Sequence, residues 1–227
     1  FSPDSSNSLA TGLVAYYKLD EQSGGREDAF TGLTLADSNG VVFGAGVRSN
    51  AASFGGSQAL YRDSESALRL NRGSYTLTHW VYVANTLVYN PTLAKNDSTV
   101  LREFLASHRG TGNGRFQFDV FDTAGTLVAE VSSAVLGSQN TWYFLACGVN
   151  SATNTAFLRL NAMTTVSAPL TGSAGTSNAT FTVGGDRANP TLFFTGSMDE
   201  LAIHSKVLTT QELTDLYNSG SGNTYNS

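Results

Sequence analysis

The chain has one cysteine, Cys147, among 227 residues, so no intrachain disulfide can form. Cys147 lies in the apolar stretch WYFLACGV, where a buried thiol is expected, and no base nearby in sequence would activate it as a nucleophile. Charged residues are scarce at 14%, and the net charge is −5. With no basic cluster, nucleic acid is not an expected partner. No apolar run approaches the roughly 20 residues that span a bilayer, so membrane insertion is not expected, and no signal-peptide pattern is visible. The three histidines, His79, His108 and His204, lack any H-x-H or H-E-x-x-H spacing, which argues against zinc. A G-x-S-x-G elbow and a P-loop are both missing. The chain opens on Phe1, which fits either a removed upstream segment or a piece of a longer polypeptide.

What is present is apolar and aromatic: 41% hydrophobic and 11% aromatic residues, enough for a full core. With so few charges the polar surface must be Ser, Thr, Asn and Gly, a composition that suits extracellular or particle-bound β proteins. Short apolar runs recur between Gly, Asn, Asp, Ser and Pro clusters, the pattern of a β-sandwich or barrel in one domain. GRFQFDVFDTAGTLVAEV is the clearest hairpin, with alternating strands either side of DTAG. FLRLNAMTTVSAP reads as a second, turning at Asn161-Ala162. One helix is expected, near the C-terminus. In LTTQELTDLYNSG, Thr209 is a candidate N-cap and Glu212 stands at capping-box spacing. Leu208, Leu213 and Leu216 share an apolar side that would cover a sandwich edge or a loop.

Carboxylates decide the chemistry. A glycosidase needs two of them in one cleft, about 5–10 Å apart. Asp199 and Glu200 are adjacent, and strand alternation sends neighbours to opposite faces. The same argument separates Asp119 from Asp122, so the chain reads as non-catalytic. Calcium is a different case, since it takes carboxylate and carbonyl oxygens alike. Asp20 closes the first strand and Asp199 lies on the last, and these strands are often neighbours in a sandwich. Asp28, Asp37 and Asn39 supply further oxygens. Sugar stacking would fall to aromatics outside the core: Tyr16, Tyr17, Tyr61, Tyr82, Tyr89 and Phe121, with Tyr61 and Tyr89 the chosen ligand-binding pair. Trp80 and Trp142 read as core.

Four segments, GLVAYYKLDEQSG, AASFGGSQAL, SYTLTHWVYV and FTGSMDELAIHSKVLTTQELTDLYNSGSG, resemble the laminin-G-like, concanavalin A-like jelly rolls of bacterial surface and phage structural proteins. The resemblance runs from Leu13 to Gly222. It implies an all-β fold: a two-sheet antiparallel jelly-roll sandwich over 13–218 with one short C-terminal helix. The polar opening 1–12 reads as a flexible arm or linker and 219–227 as a polar tail. The resemblance also implies a structural calcium in many members, ligated by the Asp of the MDE segment. Here that is Asp199, with Asp20 of KLDE and Asp28 as further ligands. The loop QSGGREDAFTGLTL departs from the more Asn/Gly-rich stretch common in the family. Members are mostly binding or structural modules. The resemblance therefore implies a non-catalytic module on a cell surface, outside the cell or on a virion, that binds a glycan or a surface protein. An assembly role, such as a phage capsid decoration or tail-fibre component that packs against itself or other subunits, is the alternative.

Overall fold

In the segment Arg115–Phe121, Phe116, Phe118 and Val120 turn into the core, while Gln117, Asp119 and Phe121 turn away from it, the period-two signature of a strand. That pattern, repeated, builds the molecule. The computed structural model describes residues 8–63, 68, 70, 73–110 and 112–225. The first strands are β1 (Leu13–Tyr17), β2 (Ala36–Ser38), β3 (Val42–Ala45), β4 (Asn50–Gly55) and β5 (Ala59–Arg62). Longer ones follow: β6 (Tyr75–Val83), β7 (Tyr89–Asn96), β8 (Arg102–Arg109), β9 (Arg115–Phe121) and β10 (Leu127–Leu136). The last are β11 (Trp142–Asn150), β12 (Thr155–Leu160), β13 (Val166–Pro169), β14 (Phe181–Val183) and β15 (Thr195–His204), before helix α1 (Thr210–Tyr217).

Every strand pairing between these elements is antiparallel, and the strands form two sheets. An eight-stranded sheet runs β13-β12-β11-β6-β15-β4-β3, with β1 also paired to β15. A seven-stranded sheet runs β10-β9-β8-β7-β14-β5-β2. The first and last long strands are neighbours as expected, with Tyr17 opposite Leu201. Both predicted hairpins form, β9–β10 through a turn closed by Gly125 N–H to Asp122 O, and β12–β13 with Asn161 in the left-handed region. The inner faces of the two sheets make the main core, where Phe104, Phe116 and Phe118 of one sheet face Leu77, Leu145 and Ile203 of the other. Cys147 is buried there, and burial pushes its thiol pKa well up, so it is an inert packing residue.

The helix covers a sheet face rather than an edge. It packs on the outer face of the eight-stranded sheet, where Leu208, Leu213 and Leu216 join Tyr16, Trp80 and Phe144 in a second apolar cluster. An eight-residue helix is marginal alone; burial of each leucine contributes about 2 kcal/mol to holding it. The capping box is formed as read. Thr209 Oγ1 accepts from Glu212 N–H at 3.2 Å, and Glu212 Oε2 accepts from Thr209 N–H at 2.7 Å. Because both faces of this sheet are covered here, β6 is buried at every position except Tyr82. That explains why Tyr16 and Tyr17, expected as exposed stacking residues, are both buried, one in each cluster. Phe121 is buried too, beside Ala94 and Leu105, so it is not an open platform. The described ends of the chain also belong to the packed domain. Leu9 and Tyr225 sit in the outer cluster, and the Tyr225 ring lies 4.6 Å from that of Tyr16.

Candidate functional site

Two places gather the residues singled out from sequence. The first is the corner where β1, β15, the 46–50 turn and the C-terminal segment meet. Here β15 does not alternate. Asp199 pairs with Trp80 and Ala202 with Thr78, so Glu200 and Leu201 together oppose His79 in a bulge. Glu200 takes φ 52° to make it. Met198 and Leu201 both enter the main core, while Trp80 and Ala202 lie in the outer cluster. The bulge therefore turns Asp199 and Glu200 to the same outer side, and the expectation of opposite faces is wrong at this position.

Asp199 is fully buried, and its Oδ2 accepts from the backbone N–H groups of Val47 and Arg48 at 2.8 and 2.9 Å. Burial pushes its carboxyl up to about 8; those two bonds oppose the shift, and Glu200 and Asp20 add to it. Burial likewise raises Glu200 to about 7, although the Tyr16 hydroxyl donates to its Oε2. Glu200 and Asp20 line an open cleft of about 380 Å³ with Lys18, Arg48 and Ser221. Asp20 Oδ1 accepts from Asn50 N–H at 2.9 Å.

These residues divide as metal ligands. Asp199 Oδ1 is buried with no hydrogen-bond partner among the described residues, beside two further carboxylates, so it fits a cation. Asp28 does not fit. Its Oδ1 accepts from the N–H groups of Tyr16 and Phe30, and its Oδ2 accepts from the N–H and hydroxyl of Thr31. The carboxylate is used up in pinning its own loop to β1, which corrects the expectation that it binds metal. Among the described residues no three His, Cys, Asp or Glu side chains converge on a metal position. A calcium ion here would therefore be completed by carbonyl or water oxygens.

The second place is the outer face of the seven-stranded sheet, towards the β2 edge. Leu60, Phe181 and Val183 point into the core, so Tyr61 and Thr182 point outward. Tyr61 and Thr182 line a cavity of about 250 Å³ with Asp186, Arg187 and Phe193. Tyr89 lines a neighbouring cavity of about 290 Å³, which shares Phe193. The two tyrosines chosen from sequence thus flank one loop.

That loop is built to be rigid. Gly184 has φ 82°, and a Cβ there would meet the Phe54 ring at 2.6 Å, so only glycine turns the chain here. Asp186 Oδ1 then accepts from Ala188 N–H at 3.0 Å, Asn189 N–H at 3.3 Å and Asn96 Nδ2 at 2.8 Å. The last bond buries Asn96, the acceptor of an Asn-Asp-Ser sequon. Each tyrosine is also fixed by an arginine. The Arg109 guanidinium lies 4.7 Å from the Tyr89 ring centre and pairs with Asp119 at 2.9 Å. Arg187 lies 5.6 Å from the Tyr61 ring and pairs with Asp97 at 3.1 Å and Asp63 at 3.7 Å. Such cation–π contacts contribute about 0.5–1 kcal/mol at exposed sites.

Strand register also sets Asp119 opposite Glu130 on this face. Sequence reasoning missed this pair because it joins two strands. Both Asp119 oxygens are already held, Oδ2 by Arg109 and Oδ1 by Gln117 Nε2 at 2.6 Å, and Asp119 lines neither cavity. The arrangement suits a structural network rather than acid–base work.

Comparisons with known proteins agree with this architecture. The laminin G model described as the concanavalin A-like lectin/glucanases superfamily matches residues 54–214. No curated protein matches the chain. Among solved structures, domain 4 of AbnA, a GH43 extracellular arabinanase from Geobacillus stearothermophilus solved with arabinotriose, is similar with a TM-score of 0.68. Identity is 17%, over 89% of this chain and 97% of that one. The binding domain of Paraclostridial Mosquitocidal Protein 1 gives a TM-score of 0.72 at 15% identity, over 92% of this chain. The botulinum neurotoxin serotype D binding domain gives 0.66 at 12% identity, over 94% of this chain. The chain spans about half the length of these two toxin domains, 52% and 53%. At such identities the likeness speaks to the fold. Family match and fold together place the chain: it belongs to the concanavalin A-like lectin/glucanases superfamily.

Proposed function

We propose that the chain is a non-catalytic recognition module that binds carbohydrate outside the cell, on a glycan or glycan-bearing surface. One observation carries the reading: Tyr61 and Tyr89 line adjacent cavities across Phe193, each ring held by an ion-paired arginine. A ring fixed before binding loses little conformational entropy when a sugar stacks on it. The solved relatives support a binding role, one being solved with arabinotriose and two being toxin binding domains. The test is a broad glycan array followed by titration of the hits. Tyr61→Ala and Tyr89→Ala should each weaken binding at least about fivefold, on the scale of an aromatic contact. An array without hits, with calcium present, overturns the reading; binding to a surface protein alone would replace it.

A second reading concerns calcium at the β1–β15 corner. The supporting observation is the buried Asp199 Oδ1, which has no hydrogen-bond partner among the described residues, beside Asp20 and Glu200. When bound, the ion would neutralise carboxylates that otherwise repel one another, and would tie the last strand to the first. A ligand that binds only the folded state raises its stability by mass action. Calcium should therefore raise the melting temperature and a chelator lower it; equal melting temperatures in both would refute the site.

A further inference from the structure

The chemistry of the cavity under Tyr61 points further, to the class of sugar. We infer that this cavity takes an uncharged, hydroxyl-rich sugar ring and rejects acidic sugars, an inference that rests on the carbohydrate reading above. Among the described residues the only cation lining it is Arg187, which is already paired with Asp97 and Asp63. Among the described residues that line it or pair with Arg187, three carboxylates, Asp186, Asp97 and Asp63, stand against one guanidinium. A uronate or sialate carboxylate would enter an acidic cavity in which no free cation among the described lining residues receives it, and like charges at short range disfavour binding.

The remaining groups suit hydroxyls. Asp186 is buried, and its Oδ1 is tied back by three donors, while its Oδ2 takes no hydrogen bond from the described residues. A carboxylate oxygen held in place in this way accepts strongly from a sugar hydroxyl. Thr182 is 2% exposed, and its Oγ1 has no partner among the described residues. Thr182 lines the cavity, and its hydroxyl can both donate and accept. Tyr61 and Phe193 supply apolar surface for the C–H face of a ring.

The test is calorimetric titration of the purified chain with neutral arabino-, xylo- and galacto-oligosaccharides, and with sialyllactose and oligogalacturonate. Neutral ligands should bind and acidic ones should not. Asp186→Asn should weaken neutral binding about tenfold, the scale of a hydrogen bond to a charged group. Thr182→Val keeps the shape of the wall and should weaken binding severalfold even if the Asp186 variant folds poorly. Asp63→Asn, which loosens the hold on Arg187, should raise affinity for acidic ligands. Acidic ligands that bind the wild type and are lost in Tyr61→Ala overturn the selectivity while leaving the carbohydrate reading intact. Neutral binding untouched by Asp186→Asn and Thr182→Val overturns the site. No binding by any sugar overturns both.

Discussion

His79 sits in the main core on β6, fully buried, with neither ring nitrogen hydrogen-bonded among the described residues. Burial pushes its pKa from 6.5 down to about 3. The native state thus keeps the ring neutral across the mildly acidic range, while the unfolded chain takes up a proton near 6.5. Stability is intact above that value and falls as the pH drops below it. Between pH 7 and pH 5 the loss is about 2 kcal/mol, taking roughly 1.4 kcal/mol per pH unit below 6.5. Replacement by leucine conserves volume and removes both orphaned nitrogens, so at pH 7 His79→Leu should lie within about 1.5 kcal/mol of wild type. Its advantage over wild type should then grow by about 2 kcal/mol at pH 5. Urea unfolding followed by fluorescence of Trp80 and Trp142 at both pH values measures this. His204, also depressed, and the raised Asp199 and Glu200 act in both proteins and cancel in the difference. Parallel pH profiles for the two proteins would refute the reasoning.

Three further outcomes follow from the same structure. Lys95 and Glu103 form a buried ion pair at 2.6 Å; Lys95→Met strands the carboxylate and should cost about 3–5 kcal/mol by chemical unfolding, whereas an unchanged midpoint would show the pair to be solvated. Thr209→Ala removes the helix cap and should cost about 1 kcal/mol, read as a lower urea midpoint with an unchanged slope. Without a bound cation, Asp199 keeps its proton to about pH 8 rather than 3.8, so its stabilisation is full below 3.8 and disappears as the pH rises through 8. Asp199→Asn should then remove a decline on the order of 3 kcal/mol between pH 5 and pH 8, and a profile that still declines equally contradicts the assignment.

Much of the fold was legible because local signals agreed with the global answer. Alternation in Arg115–Phe121 placed its core face, DTAG placed the hairpin, and the Thr209–Glu212 spacing placed the helix. The bulge at Glu200 was not legible. It inserts one residue at positive φ without glycine or asparagine to mark it, and it reversed the inference that separated the two carboxylates. Tyr16 misled for a related reason: its residue type suits a half-exposed strand, but the helix covers that face from nearly 200 residues away. Asp28 resembled a ligand until its own loop claimed all its acceptor capacity. Tyr61 and Tyr89 reach adjacent cavities because β5, β7 and β14 are neighbours in the sheet, a pairing that sequence spacing does not encode.

The proposed carbohydrate face on the seven-stranded sheet is tested most directly by backbone amide NMR during titration with a neutral oligosaccharide. The account predicts shifts concentrated at Tyr61, Thr182 and residues 185–193, saturating together. Shifts confined to the corner around Asp20, Arg48 and Ser221, or none at all, would contradict it.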